Sequence, residues 1–223
     1  MIFTIPNVFT PEELEEIRSS LAKGEFIDGK LTAGWNAKLV KNNQQLKKKT
    51  PLGSQLTQQV KSALNRNKLF QTAIRPKSIH SLLFSRYDKG MSYGRHVDNS
   101  MMRNNGMWRT DVSFTIFLNS PKEYKGGELV VEGVDTEKAY KLEAGSAIVY
   151  PSTSLHRVNE VTEGSRLVCV GWVQSLIRDS SEREILFDLE TARRVIFAKE
   201  GKTPEFDLIS KSLTNLLRKW IDL

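Results

Sequence analysis

Between Ile79 and Gln174 the chain breaks into short β-rich runs, and each run is closed by Gly, Pro, Asn or Ser. Ser78 to Tyr87 alternates loosely, and Asp111 to Asn119, Gly127 to Glu132, Ala147 to Tyr150 and Arg166 to Val173 follow. All are rich in β-branched and aromatic residues, which fit a pleated, half-buried surface. Many short strands with turn punctuation predict two packed antiparallel sheets in a jelly roll. That arrangement brings the strands bearing His96 and His156 together at one open end, with Arg166 deeper inside.

Helical periods flank this stretch. Thr10, Pro11 and Glu13 combine an N-cap, a proline at the first helical position and a capping-box glutamate, and Leu14, Ile17 and Leu21 then share a face until Gly24. Leu52, Leu56, Val60 and Leu64 predict a second helix, and Arg75-Pro76 marks the return to extended chain. After Gln174, Ser181 to Glu184 reads as a capping box, with Ile185, Leu189, Ala192 and Ile196 on one face up to Gly201. Thr203-Pro204 opens a last helix through Phe206, Ile209, Leu213, Leu216 and Trp220. The fold expected is α+β: a double-stranded β-helix core over residues 78–174, an N-terminal helical segment over 1–77, and a C-terminal helical extension over 175–223. The C-terminal stripes need a surface to bury against, which is either the barrel or a second copy in a homodimer.

Within the sheet region, His96-Val97-Asp98 is followed by His156 and then Arg166. On an extended strand, residues at i and i+2 point to one face, so His96 and Asp98 can meet one metal while Val97 turns into the opposite layer. An isolated H-x-D is weak, because it also describes a solvated turn. His156, in a turn that enters a strand, strengthens it. Two imidazoles and a carboxylate on one face of a metal are the protein half of a non-haem Fe(II) oxygenase site, with three coordination positions left open. His80 has no acidic neighbour, and packing or solvent exposure is the expectation for it.

The 223 residues, 39% of them hydrophobic, suffice for a full core, and no apolar run is long enough to span a bilayer. The N-terminus lacks the basic region and apolar stretch of an export signal, which points to the cytoplasm. The single cysteine, Cys169, cannot form an intramolecular disulfide and reads as a small buried strand residue. A net charge of +7 raises the question of an acidic partner. Much of the excess lies in Lys38 to Lys41 and Lys47 to Lys49, beside Asn42 to Gln45 and before Pro51, which reads as a solvated loop. No aromatic residue there offers a base-stacking platform, so nucleic acid is not the expected partner.

Tyr87 to Asn99, Phe117-Leu-Asn119, Gly126-Gly-Glu-Leu129, Pro151 to His156 and Arg166 together resemble the bacterial PKHD-type hydroxylases. This group lies within the prolyl 4-hydroxylase-like branch of the Fe(II)/2-oxoglutarate dioxygenases, and some members are associated with iron uptake. The resemblance covers roughly the middle half of the chain, and the helical tail also fits the group. It implies His96, Asp98 and His156 as ligands of Fe(2+), and Arg166 as the partner of the distal carboxylate of 2-oxoglutarate. A guanidinium suits that role because its planar fork binds a carboxylate bidentately. The alternative for Arg166 is a surface charge at a strand edge. Tyr87 resembles the family's hydroxyl donor to the co-substrate, though Tyr93 is near and either could serve the core or the rim. Phe117 stands where some relatives carry another tyrosine, which leaves the co-substrate's polar partners open beyond Arg166. The activity implied couples decarboxylation of 2-oxoglutarate to hydroxylation of a C–H bond, with L-ascorbate (vitamin C) restoring the iron.

Against a halogenase stands Asp98, since halide needs the carboxylate's place on the iron. Against a nucleic-acid demethylase stands the apolar strand after Arg166, with no second arginine. A small-molecule or peptidyl substrate stays open, because its identity resides in loops such as Asn99 to Trp108. The rival outside enzymology is a jelly roll that binds or senses iron without consuming 2-oxoglutarate, and Arg166 counts against it.

Overall fold

The computed structural model describes residues 1–103 and 106–223; Asn104 and Asn105, in the loop expected to carry substrate specificity, lie outside the described residues. The chain opens with β1 (Phe3–Ile5) and α1 (Pro11–Ala22). The capping box forms as expected: Thr10 Oγ1 accepts from the Glu13 N–H at 3.3 Å, and the Thr10 N–H donates to Glu13 Oε2 at 2.9 Å. Then come β2 (Phe26–Asp28), β3 (Lys41–Asn42), β4 (Gln44–Leu46), α2 (Pro51–Arg66) and α3 (Lys68–Ile74). A break at Asn67 separates the last two, and its side chain accepts from the Phe70 N–H at 2.9 Å to start the new helix. Arg75 closes α3 in the left-handed region at φ 50°, and Pro76 begins the first long strand.

That strand is β5 (Pro76–Asp88), followed by β6 (Ser92–His96), β7 (Met101–Arg103), β8 (Met107–Arg109), β9 (Val112–Phe117) and β10 (Tyr124–Gly126). Next are β11 (Leu129–Glu132), β12 (Glu137–Tyr140), β13 (Ala147–Pro151), β14 (His156–Val158) and β15 (Val161–Ser175), then α4 (Ser180–Glu200) and α5 (Pro204–Trp220). The larger sheet runs β1-β13-β9-β15-β5-β4-β2, with β10 also on β15; the smaller runs β12-β11-β14-β6-β3, and β7 pairs with β8. Every pairing is antiparallel, and the two sheets make the expected jelly roll.

Alternation along β5 and β15 decides which residues meet which layer. Leu83, Ser85 and Tyr87 on β5, and Arg166, Val170 and Trp172 on β15, line a cavity between the sheets. Their neighbours Leu82, Phe84, Cys169 and Val173 face the other way, into a core closed by Leu56, Val60 and Phe70 of the helices. Phe70 meets Phe114 edge-on, with ring centres 5.9 Å apart. Helices therefore cover the back of the larger sheet and leave its inner face for the cavity.

Two expectations change. The stretch from Lys41 to Leu46 forms strands in both sheets rather than a solvated loop: β3 pairs with β6, and β4 with β2 and β5. The amino-terminal segment thus adds four strands to the barrel besides its helices. In the tail, Asp179 rather than Ser181 caps α4, accepting from the Ser181 and Glu182 N–H groups at 2.8 and 3.1 Å. The buried face of α4 is Arg183, Leu186 and Glu190, while Ile185 is 44% exposed and Ala192 lies in solvent. Leu186 sets that rotation by packing with Ile177 and Leu213 of α5. The pair is tied to the body by Phe187 on the main core and by Arg109, which donates to Asp222 at 2.9 Å. No helix among the described residues is long and apolar enough to cross a membrane.

Candidate metal and co-substrate site

His96 ends β6 and His156 begins β14, and the two are direct partners in the ladder between those strands. Their ring centres are 4.2 Å apart. Asp98 differs from expectation, because β6 stops at His96 and the carboxylate arrives from the segment beyond it. Ser113 on β9 holds it there, donating to Asp98 Oδ2 at 2.6 Å, and Ser113 is itself bonded to Ser152 at 2.8 Å. Val97 is not in an opposite layer; it is 50% exposed at the cavity rim.

The ring orientations follow from backbone acceptors. His96 Nδ1 lies 2.8 Å from the Gly94 carbonyl, and His156 Nδ1 lies 3.0 Å from the Ser154 carbonyl. A carbonyl only accepts, so each Nδ1 carries the hydrogen and each Nε2 keeps a free lone pair. Burial, aided by the neighbouring His156, pushes the His96 imidazole down to about 4, so it is neutral at physiological pH. Tyr93 stacks on the His96 ring at 3.7 Å between centres. One ligand atom from each of His96, Asp98 and His156 lies within 4.8 Å of the others, a spacing that a single metal ion can bridge.

Deeper in the cavity lies Arg166, 1% exposed, opposite Tyr87 in the β15–β5 ladder. A strand-edge surface charge is thereby excluded. Its Nε and Nη1 have no hydrogen-bond partner in the protein. The guanidinium carbon lies 5.0 Å from the Tyr87 ring centre and 5.4 Å from that of Phe117. Gly127 makes the close approach possible: it sits at φ +68°, and a Cβ there would fall 2.9 Å from Val161 Cγ2 and 3.1 Å from Arg166 Cδ. A buried donor without a partner carries its desolvation cost uncompensated, so this corner is built for an acceptor, and a carboxylate matches the fork.

Tyr87 and Tyr93 both line the cavity, and Tyr87 is the one beside Arg166. Burial pushes its hydroxyl up, so it remains a neutral donor. Phe117 brings no hydroxyl to the corner, whereas Tyr124 does, a residue that sequence reasoning missed. Its hydroxyl is buried without a hydrogen bond of good geometry, raised by burial and partly lowered by the charge and the close approach of Arg166. The available signal was its place just before Lys125-Gly126-Gly127. Lys41, Asn43 and Gln45 were also missed as cavity residues. Their polar side chains recur at every second position, the period of a strand with one buried face.

The remaining residues behave more simply. His80 packs, with Nε2 3.2 Å from the Arg109 carbonyl, Nδ1 3.1 Å from Ser81 Oγ and its ring stacked on Trp108. Cys169 is fully buried, and burial pushes its thiol up. Lys47, Lys48 and Lys49 are exposed.

Comparison with known proteins gives these features a context. Residues 82–174 match the sequence profile of the 2OG-Fe(II) oxygenase superfamily. A PKHD-type hydroxylase of Gloeothece citriformis is 68% identical over 222 residues, covering 100% of both chains. One from Picosynechococcus is 66% identical over 220 residues, covering 99% of each. Among solved structures, a 2OG-Fe(II) oxygenase family oxidoreductase of Burkholderia pseudomallei matches with a TM-score of 0.56 at 19% identity, over 77% of this chain and 84% of that one. A prolyl hydroxylase of Trichoplax adhaerens, in complex with a peptide fragment, matches at 0.56 and 16% identity, over 82% and 86%. At such identities the structural likeness concerns the fold alone.

Proposed function

The chain belongs to the PKHD-type hydroxylases of the 2OG-Fe(II) oxygenase superfamily, and from that premise we propose that His96, Asp98 and His156 hold its Fe(II) while Arg166 holds the distal carboxylate of 2-oxoglutarate. The protein is a 2-oxoglutarate-dependent dioxygenase. When bound, the iron with 2-oxoglutarate and dioxygen supplies oxidation of a substrate C–H bond, and the co-substrate leaves as succinate and carbon dioxide. The residues bind and orient. Gly94 and Ser154 carbonyls aim the two imidazoles, and Ser113 fixes the carboxylate. Tyr87 and Tyr124 offer neutral hydroxyls beside Arg166, in the place that Phe117 leaves without one.

The observation that carries this reading is the buried guanidinium of Arg166, with Nε and Nη1 unpartnered, in the same cavity as the triad. An iron-binding or iron-sensing protein would have no use for it. Anaerobic titration of the protein with Fe(II) and then 2-oxoglutarate tests the reading through the metal-to-ligand charge-transfer band. The band is expected in the wild type, with a weakened co-substrate midpoint in Arg166→Ala. A wild type that binds Fe(II) and gives no band would favour the iron-binding alternative.

The proposal extends to L-ascorbate as reductant, on the family resemblance, and to a cytoplasmic setting, on the single buried and unpaired Cys169. Residues 78–174 are taken as the oxygenase unit, with the flanking segments as its supports. The substrate is a small molecule or a peptide rather than a nucleic acid, since the basic stretch from Lys38 to Lys49 carries no aromatic residue on which a base could stack. A homodimer through the C-terminal helices is supported by Phe197 and Leu208, which are 56% and 58% exposed on them.

A further inference from the structure

A second buried cation lines the same cavity, and the binding of iron and 2-oxoglutarate does not account for it. Lys41 is only 5% exposed. Its ammonium donates to Thr32 Oγ1 at 3.1 Å and lies 5.1 Å from the centre of the Tyr93 ring, which in turn stacks on His96. Among the described residues Lys41 has no ion-pair partner. An ammonium has three donors, so two remain free, and the carboxylates that act on its charge, Asp98 and Asp28, lie beyond ion-pair distance and offset its burial only in part. Burial, with a smaller contribution from Lys48, brings it down to about 8, which still leaves it charged at neutral pH.

The surroundings are built rather than incidental. Lys41, Asn43 and Gln45 turn inward and line the cavity, while Asn42 between them is exposed. Thr32 accepts from Lys41 and donates to Gln45 Oε1, and Gln45 Nε2 donates to Ser85 Oγ at 3.3 Å, so the row is fixed in place. Asn43 is 3% exposed and approaches the Tyr87 hydroxyl, yet neither its Oδ1 nor its Nδ2 makes a hydrogen bond of good geometry. Gly29 opposite it leaves room for that amide, since a Cβ there would fall 1.8 Å from Asn43 Oδ1. Outside this wall an open cleft lined by Trp35, Ala37, Val97 and Asn99 also reaches His96 and Asp98.

We propose that Lys41 and Asn43 anchor the molecule that is hydroxylated, and that this substrate carries a carboxylate, which Lys41 neutralises while the Asn43 amide completes its hydrogen bonds. This rests on the oxygenase reading above. In that reading one end of 2-oxoglutarate is taken by the metal and the other by Arg166, which leaves Lys41 for a second anion. One ammonium with no arginine beside it matches a monoanion better than a phosphate dianion. The cleft beyond Ala37 holds the rest of the substrate.

The test uses the full-length protein loaded with Fe(II) and saturating 2-oxoglutarate, kept anaerobic at pH 7 and titrated with butanoate, butanamide or methylphosphonate. The readout is perturbation of the charge-transfer band. Butanoate should perturb it saturably, with a midpoint roughly tenfold or more below that of butanamide, as a charge-assisted hydrogen bond requires. Lys41→Met should remove the preference, and Lys41→Arg should keep part of it. Thr32→Val, which keeps the lysine and removes its anchor, should fall between and serves if Lys41→Met does not fold. Equal midpoints, a preference for the phosphonate, or an unchanged preference in the variants would overturn the proposal. A weakened 2-oxoglutarate midpoint in Lys41→Met, or loss of the band on adding butanoate, would assign the anion to the co-substrate site and sink the proposal while the oxygenase reading stands. No band in the wild type would remove both.

Discussion

Two arginines are buried among the described residues, Arg166 inside the barrel and Arg183 in the first turn of α4, and they are buried on opposite terms. Arg183 donates to the Ile177 and Arg178 carbonyls at 2.7 and 2.9 Å, closing a loop end against the tail helices. Arg166 keeps Nε and Nη1 without a partner under two aromatic rings. Burial alone does not distinguish them; the presence of internal acceptors does. Where the chain supplies the acceptor, the guanidinium belongs to the structure, and where it withholds one, a ligand is expected to supply it.

The most severe way to break this contrast is to remove the neighbouring triad. His156→Ala should lower Mn(II) affinity by more than about 100-fold, beyond the range typical of changes in a ligand's supporting hydrogen bonds. Calorimetry reads it directly. Wild-type affinity in the variant would mean that His156 is not a ligand, and Arg166 would lose its reason to wait for an anion.

Next in size is Arg166→Leu. Loss of a charge-assisted contact worth about 1.5–3 kcal/mol should weaken 2-oxoglutarate by roughly ten- to 150-fold, with Mn(II) affinity nearly unchanged. The unliganded variant should be at least as stable to urea as the wild type, because an unpaired buried charge is replaced by an apolar group. A large fall in stability with normal co-substrate affinity would place Arg166 in the same class as Arg183.

Arg183→Met should give the reverse pattern. It strands the buried Ile177 carbonyl and the part-buried one of Arg178, which costs about 1–3 kcal/mol of folding stability, and it should leave the 2-oxoglutarate midpoint where it was. Urea unfolding and the same anaerobic titration separate the two effects. A shifted co-substrate midpoint would tie the tail to the site and blur the distinction between the two arginines.

Much of this was legible in the sequence because period and punctuation reported it. The strands from Val112 to Phe117 and from Ala147 to Pro151 sit within a residue or two of the β-rich runs, and the Thr10 capping box forms as the residues demand. His96, Asp98 and His156 were visible as residue types at a spacing, and the fold brings their ligand atoms together. What escaped notice had signals that pointed elsewhere. Lys41 to Gln45 is so polar that it reads as solvated, and only the cavity it faces makes a buried polar strand affordable. In α4 the helix period was clear but its rotation was not, since Leu186 rather than Ile185 meets α5, and an unpaired helix does not say which apolar residue its partner will choose. Tyr124 needed the third dimension, because its one signal, the place just before Lys125-Gly126-Gly127, does not say that Gly127 lets the ring lie beside Arg166.

The smallest expected effect sharpens the same distinction with a group that changes charge. His80 is buried like Arg166 but satisfied like Arg183: Nε2 meets the Arg109 carbonyl, Nδ1 meets Ser81 Oγ, and the ring stacks on Trp108. Burial lowers its pKa below 6.5, partly offset by that carbonyl. As pH falls through 6.5 the unfolded chain takes up a proton that the folded protein refuses, so the stability His80 contributes is full above that pH and is lost below it. His80→Phe keeps a stacking ring and removes the titration, while every other titrating group is common to both proteins and cancels in the difference. The wild type's advantage in urea unfolding at pH 7 should therefore shrink at pH 6 and again at pH 5. A gap that stays constant or widens toward acid would mean that the folded protein accepts the proton at His80, and that its hydrogen bonds do not hold the ring neutral.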